Sequence, residues 1–196
     1  MPKTKCTAHL FFVLYLQYYF TEKTKQLVME VLLELATKTV TLSRNEYLKW
    51  EDSIDTNLYF VERGSLRIFI MDNEEEKTIR FGYQGNMITA LDSFLTGQAS
   101  KLQIQALKKT IVKVIPKLII EEYINKAEHQ IFWIKILESL MQQQLEREID
   151  LLTASPKERY DRVLKRSPEV FQQIPNRYIA NYLRMSPETL SRLKKS

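Results

Sequence analysis

From Glu128 to Leu152 the sequence runs for twenty-five residues without a glycine or a proline. Its apolar positions Ile134, Leu137, Met141, Leu145, Ile149 and Leu152 step by three or four, the period of one helical face. A helix of ~25 residues is ~37 Å long, longer than the small domain it would leave. The spacing therefore predicts a rod whose apolar stripe is partly uncovered within one chain. Self-pairing along Ile134, Leu137, Met141, Leu145 and Ile149 into a two-fold dimer is the expected way to cover it. A helix lying on its own domain is the competing arrangement, and Gln142-Gln143-Gln144 interrupts a strict heptad.

What precedes the rod has a different period. KTVTL, EYLKW, NLYFVE, SLRIFIM, KTIRFGYQ, MITAL, LQIQAL and TIVKVI, all between Lys38 and Ile115, are short and rich in β-branched and aromatic residues. Ser43-Arg44-Asn45, Arg63-Gly64, Asp72-Asn73, Gln84-Gly85 and Thr96-Gly97 divide them with turn chemistry. Eight short, closely spaced strands predict a β-roll or jelly-roll barrel rather than a parallel sheet. Glu74-Glu75-Glu76 reads as a solvated hairpin tip, and Leu118 to Ile124 as a short helix. Ahead of the strands, Leu27, Val28, Val31, Leu32 and Leu35 share a helical face. The apolar run His9 to Phe20 carries Tyr15, Gln17, Tyr18 and Tyr19 and lacks a small-residue cleavage site. It is shorter than the ~20 residues of a membrane span, so it is expected to be a helix packed on the domain behind it.

After the rod, Ala154-Ser155-Pro156 marks the best boundary. Lys157 to Arg166 reads as a helix with Tyr160, Val163 and Leu164 inward, and Ser167-Pro168-Glu169 starts another that ends at Ile174. The last twenty residues, RYIANYLRMSPETLSRLKKS, read as two short helices with a tight corner. Ile179, Ala180 and Leu183 give the first an apolar face. Ser186 stands at a cap position, Pro187 at the first helical position and Glu188 in the first turn, a strong helix start. Leu190 and Leu193 point inward. Glu188, Thr189, Ser191, Arg192, Lys194 and Lys195 remain outside, the kind of face a major groove accepts. From Ala154 onward there are ten Lys/Arg and four Asp/Glu, while the rest of the chain has nineteen and twenty. The whole basic excess of the chain, net +5, therefore lies with the helical pair, which suits a polyanion. Cys6 is the single cysteine, so no disulfide framework exists and a reducing cytoplasm is expected.

Barrel, long helix and helix-turn-helix, in that order, resemble the Crp/Fnr family of bacterial transcription regulators. LYFVERGSLRIFI (Leu58 to Ile70) is similar to the family's strand-turn-strand ending in Gly-Ser. YQGNMITALDSFLTGQASKLQIQAL (Tyr83 to Leu107) is similar to its phosphate-cassette segment. ERYDRVLKRSPEVFQQIPNRYIANYLRMSPETLSRLKK (Glu158 to Lys195) resembles its DNA-binding part, most of all in the branch that stops just after the recognition helix, with no β-wing. The resemblance implies an α+β fold: a sensor barrel with flanking helices over 1–127, a dimerisation helix over 128–153 and a DNA-binding helix-turn-helix domain over 154–196. It implies a homodimer that reads a near-palindromic site with the helix Pro187 to Lys195. Its partners would be double-stranded DNA, a second copy of the chain and, as a further candidate, RNA polymerase, with no membrane.

By that resemblance Glu188 and Arg192 match base-reading positions. Arginine can fork onto a guanine edge and glutamate can accept from cytosine. Ser186, Thr189 and Ser191 would touch phosphate or bases, and Lys194 and Lys195 would add backbone contacts. Pro187 replaces a third reading position that is often arginine, so a different target sequence is expected. Arg184 stands where the family's corner commonly has glycine. A side chain in a left-handed corner costs about 1 kcal/mol, so a differently shaped corner is expected.

The effector pocket is expected at the degenerate cassette, Gly85, Thr89, Ala90, Ser100 and Lys101. Members of the family that bind cyclic AMP carry Gly-Glu and Arg-Ser where this chain has Thr89-Ala90 and Ser100-Lys101. Without the carboxylate for the ribose and the bidentate cation for the phosphate, cyclic AMP is expected not to bind, and the effector, if one exists, is unidentified. No cofactor or metal is assigned. Cys6 alone cannot hold an iron–sulfur cluster, and His9 and His129 read as structural. The expected strands contain no histidine for a metal-dependent barrel enzyme, and no catalytic triad or phosphate loop is visible, so catalysis is not expected. The rival function is a protein-interaction module built from a degenerate sensor barrel, with no sequence-specific DNA binding.

Overall fold

The structure, a computed structural model, describes residues 30–195, apart from the side chains at 128 and 132. The chain forms two compact units, Met1–Leu35 and Ala36–Ser196. Within the first, the described residues are a helical turn closed by a bond from the Leu35 N–H to the Val31 carbonyl. The run His9 to Phe20 and the residue Cys6 lie outside the described residues.

The second unit begins with two four-stranded antiparallel sheets. One has the order β1 (Lys38–Leu42), β8 (Thr110–Pro116), β3 (Asn57–Arg63), β6 (Met87–Ile88). The other has the order β2 (Tyr47–Lys49), β7 (Gln103–Ala106), β4 (Ser65–Asp72), β5 (Glu75–Tyr83). Their inner faces share one core, with Tyr59, Val61, Val112 and Val114 from the first sheet meeting Leu66, Ile68, Ile104 and Ala106 from the second. Alternation puts these side chains inside because residues two apart share a face. The chain passes between sheets at Gly64, where φ is 101° and a Cβ would sit 2.6 Å from the Lys109 carbonyl oxygen. Only glycine fits that crossing.

The outer face of β4 and β5 is also buried. Arg67, Phe69 and Phe81 point outward and yet are covered. Arg67 donates to Gln105 Oε1 and to both carboxylate oxygens of Glu76, and its guanidinium lies 3.9 Å from the Phe69 ring centre. Glu76 is thus no simple solvated hairpin tip: the bond from Arg67 holds its carboxyl below the usual carboxylate range.

The MITAL segment also departs from expectation. Only Met87–Ile88 is strand, and α1 (Leu91–Thr96) begins three residues later. Asp92 sits in its first turn and accepts from the Ser93 N–H at 2.9 Å, and Gly97 ends it in a left-handed conformation. The local polar and glycine chemistry at the two ends outweighs the β-branched run.

Then come α2 (Lys117–Ile124) and the rod, α3 (Ala127–Leu152). The rod leaves Ile131, Ile134, Met141, Leu145, Ile149 and Leu152 exposed. Four short helices follow: α4 (Pro156–Arg166), α5 (Pro168–Gln173), α6 (Asn176–Tyr182) and α7 (Pro187–Leu193). They share a core of Val163, Val170, Ile174, Ile179, Leu183 and Leu190, to which the barrel contributes Phe81 and Leu107. In α4 the inward set differs from expectation. Leu164 is exposed and Arg159 is buried in its place. Among the described residues no helix is long and apolar enough to cross a membrane.

Candidate nucleic-acid interface and barrel cavity

The terminal pair is built as its local chemistry requires. Ser186 caps α7, its Oγ accepting from the Thr189 N–H at 3.2 Å, with Pro187 in the first turn. Leu190 is fully buried and Leu193 half-buried. Glu188, Ser191, Arg192 and Lys195 are exposed; the three- and four-residue spacing puts the first three on one face of the helix, and Lys195 follows in the turn after it. Thr189 is half-buried beside the cap. Lys194 leaves that face, donating to Asn176 Oδ1 at 2.6 Å. The Glu188 carboxyl is held below its usual range, first by its own backbone N–H and then by Ser186.

The corner is not reshaped. Arg184 adopts φ 53°, and the Met185 N–H bonds the Ala180 carbonyl at 3.0 Å while the Arg184 N–H bonds that of Asn181 at 3.1 Å. This paired closure is the usual end of a helix that normally takes glycine. Buried Arg159 holds it from behind. Its Nε donates to the Leu183 carbonyl at 2.9 Å and an Nη to that of Arg184 at 3.2 Å. The other Nη reaches Thr153 and Ala154 at 2.6 and 3.1 Å. One guanidinium thus ties the corner to the junction after the rod.

The main contacts with the barrel are made by α5 and α6 on β5. Asn181 accepts from the Thr78 N–H at 2.8 Å and donates to the Glu76 carbonyl at 2.7 Å, completing the exposed hydrogen-bonding edge of β5. Tyr182 packs on Phe81 with ring centres 5.3 Å apart. Arg147 of the rod stacks 3.7 Å over Tyr182 and donates to its carbonyl at 2.8 Å, and burial pushes its pKa down. Asp150, fully buried, and Glu146 receive Arg162 and Arg166.

A cavity of about 430 Å³ lies between the inner barrel wall, α1 and the rod, within the size range of small-molecule sites. Its walls are mostly apolar, Met87, Phe94, Leu95, Trp133 and Leu140 among them, and its polar groups are Arg80, Thr89, Asp92 and Gln144. Leu137, expected on the pairing stripe, is half-buried and lines this cavity.

The cyclic nucleotide-binding domain family matches residues 39–127. Three solved structures align with most of the chain. FixK2 from Bradyrhizobium japonicum is 18% identical with a TM-score of 0.66, covering 81% of this chain and 82% of its own. A mutant of CooA from Carboxydothermus hydrogenoformans is 16% identical with a TM-score of 0.62, covering 84% and 77%. A CRP-family transcriptional regulator from Thermus thermophilus is 15% identical with a TM-score of 0.59, covering 80% and 82%. The chain has the Crp/Fnr fold. No curated protein sequence matches it.

Within this Crp/Fnr fold the five cassette residues do not form one pocket. Thr89 lines the cavity and its Oγ1 donates to the Asn57 carbonyl at 2.9 Å. Ala90 is fully buried ahead of α1, and Gly85 turns the chain at φ 84°. Ser100 is buried and accepts from the Leu102 N–H at 3.0 Å, while Lys101 is exposed. The cation that does reach the cavity is Arg80, which the cassette comparison passes over. The signal for it lay in strand pairing, since Arg80 stands opposite the core residue Ile68. His129 stacks on Tyr123 at 3.8 Å, and its Nδ1 lies 2.8 Å from the Tyr123 carbonyl. His9 lies outside the described residues. Among the described residues no group of three or more His, Cys, Asp and Glu could hold a metal.

Proposed function

We propose that the chain is a homodimeric, DNA-binding transcription regulator of the Crp/Fnr type. The observation that carries this is the capped helix α7, with Glu188, Ser191 and Arg192 on one exposed face and Lys195 exposed just past its end, in the part of the chain that holds the whole basic excess. The uncovered stripe on the rod supports the pairing that would set two such helices one turn of DNA apart. Ser186 and Thr189, at the start of α7, would touch phosphate or bases, and Lys194, beside Asn176, would add charge to the backbone contact.

Arg192→Ala is expected to erase preference for one operator over unrelated duplexes and to keep weak general binding. Competition between specific and random duplexes measures this, and equal selectivity in parent and variant would remove the base-reading role. The parent is also expected to lose affinity steeply between about 50 and 200 mM salt. A flat salt response would instead favour a protein-docking module.

Cyclic AMP is not its effector in this reading. Neither Ser100 nor Lys101 lines the cavity, and no carboxylate stands at Thr89-Ala90 for a ribose. Calorimetric titration is expected to show no binding at micromolar cyclic AMP; a micromolar dissociation constant would refute it.

A further inference from the structure

We propose that the barrel cavity binds an amphipathic organic monoanion, an apolar body bearing one acid group, with the Arg80 guanidinium as its counter-ion. Arg80 pairs across the strands with Ile68, whose side chain is in the barrel core. Residues directly opposite project to the same face, so the pairing aims Arg80 inward. The bulge that leaves Ile79 between the partners of Ile68 and Phe69 lets Ile79 and Arg80 both reach the cavity.

The other arginines turned into the protein have partners. Arg67 has Glu76 and Gln105, Arg147 has two carbonyls, and Arg159 has four. Among the described residues no hydrogen bond or ion pair engages the Arg80 side chain, although its backbone is paired with Ile68 in the sheet. Burial lowers its pKa, with Tyr182 acting in the opposite sense. Arg80 is half-buried, and a cation facing a cavity with no protein counter-charge is open to an anion, which a carboxylate would meet with two parallel hydrogen bonds.

The remaining walls decide the rest of the ligand. They are apolar, and Phe94 and Trp133 stand with ring centres 6.2 Å apart. Asp92 lines the same space. One cation and one carboxylate among the lining side chains suit a single negative charge and disfavour a dianion. The anchor also differs in place from a cassette cation, because it rises from β5. The outward face of that strand carries Thr78 and Phe81, which hold the helix-turn-helix domain through Asn181, Arg147 and Tyr182. On the regulator reading above, an anion drawn to Arg80 would act on the strand to which the DNA-binding helices are docked.

The test is calorimetric titration of the full chain, free of DNA, with decanoate and with decanol, and displacement of bound 8-anilinonaphthalene-1-sulfonate by each. The parent is expected to bind decanoate at least tenfold more tightly than decanol. Arg80→Met should lose about tenfold to a hundredfold of decanoate affinity and change decanol affinity by less than about twofold, while Arg80→Lys keeps part of the preference. The Arg80→Met protein should melt no lower than the parent, because it loses an unpaired charge rather than a bond. Equal affinity for acid and alcohol, no decanoate binding by the parent, or undiminished decanoate binding by Arg80→Met would each overturn the proposal. A lower melting point for Arg80→Met would do the same, by revealing a native partner. Operator binding is scored separately. Its loss with decanoate binding retained would sink the regulator reading alone, and the reverse result would sink the cavity assignment alone.

Discussion

Glutamate at both Met141 and Leu145 is expected to convert the protein from dimer to monomer at micromolar concentration and to weaken operator binding by about a hundredfold or more. These side chains are 72% and 57% exposed in the single chain, on a rod whose Ile131, Ile134, Ile149 and Leu152 are also uncovered. Fully burying such a side chain contributes roughly 1.5–3 kcal/mol, so a paired seam of several per chain can exceed the association cost of about 4–15 kcal/mol. Two carboxylates per helix would remove apolar area and face their own copies across the two-fold axis, where like charges repel. The single chain should hardly notice, since surface substitutions cost within about 0.5 kcal/mol. Sedimentation and thermal melting together separate these outcomes. A parent that sediments as a monomer at tens of micromolar, or a variant that stays dimeric, would end the claim that the rod pairs with its twin.

The elements legible in the sequence are those whose signal is periodic or local. The eight strands follow from β-branched alternation broken by turn residues, and the rod from its unbroken three–four step. The start of α7 follows from Ser186, Pro187 and Glu188. The features that escaped depend on what a side chain meets across the fold. Leu164 looked inward because it is apolar, whereas Arg159 is the buried one because four carbonyls distant in sequence await it. Leu137 fits the stripe by spacing but lines the cavity, because the barrel wall reaches that side of the rod. Arg80 is invisible to a comparison that looks for cations only in the cassette. The SLRIFI run is apolar on both faces apart from Ser65 and Arg67. A strand of that kind is covered on both sides, and the second cover here is the group of C-terminal helices.

Arg159→Ala is expected to destabilise the C-terminal helices by about 2–3 kcal/mol and to lower the melting temperature by roughly 5–10 °C. Its guanidinium is the donor for the carbonyls of Leu183 and Arg184 at the corner and of Thr153 and Ala154 at the end of the rod. Truncation would leave the buried Leu183 carbonyl without this donor, in a site only 9% exposed at Arg159, and an unmade bond to a buried group is the expensive kind; the other three acceptors are partly buried. The corner already holds Arg184 at φ 53°, a conformation that disfavours a side chain by about 1 kcal/mol, so it has little reserve. Arg159→Lys should recover only part of the loss, because an ammonium is a point charge and cannot fork to four oxygens. Hydrogen exchange at the Arg184 and Met185 amides should quicken in Arg159→Ala before exchange in the barrel strands does, since those amides close the corner through Asn181 and Ala180. If the alanine variant melts within a degree or two of the parent with those amides still protected, the corner holds itself and Arg159 only fills space. If the amides open and operator binding falls with them, one buried cation sets both the angle of the corner and the path by which the rod carries α7 to DNA.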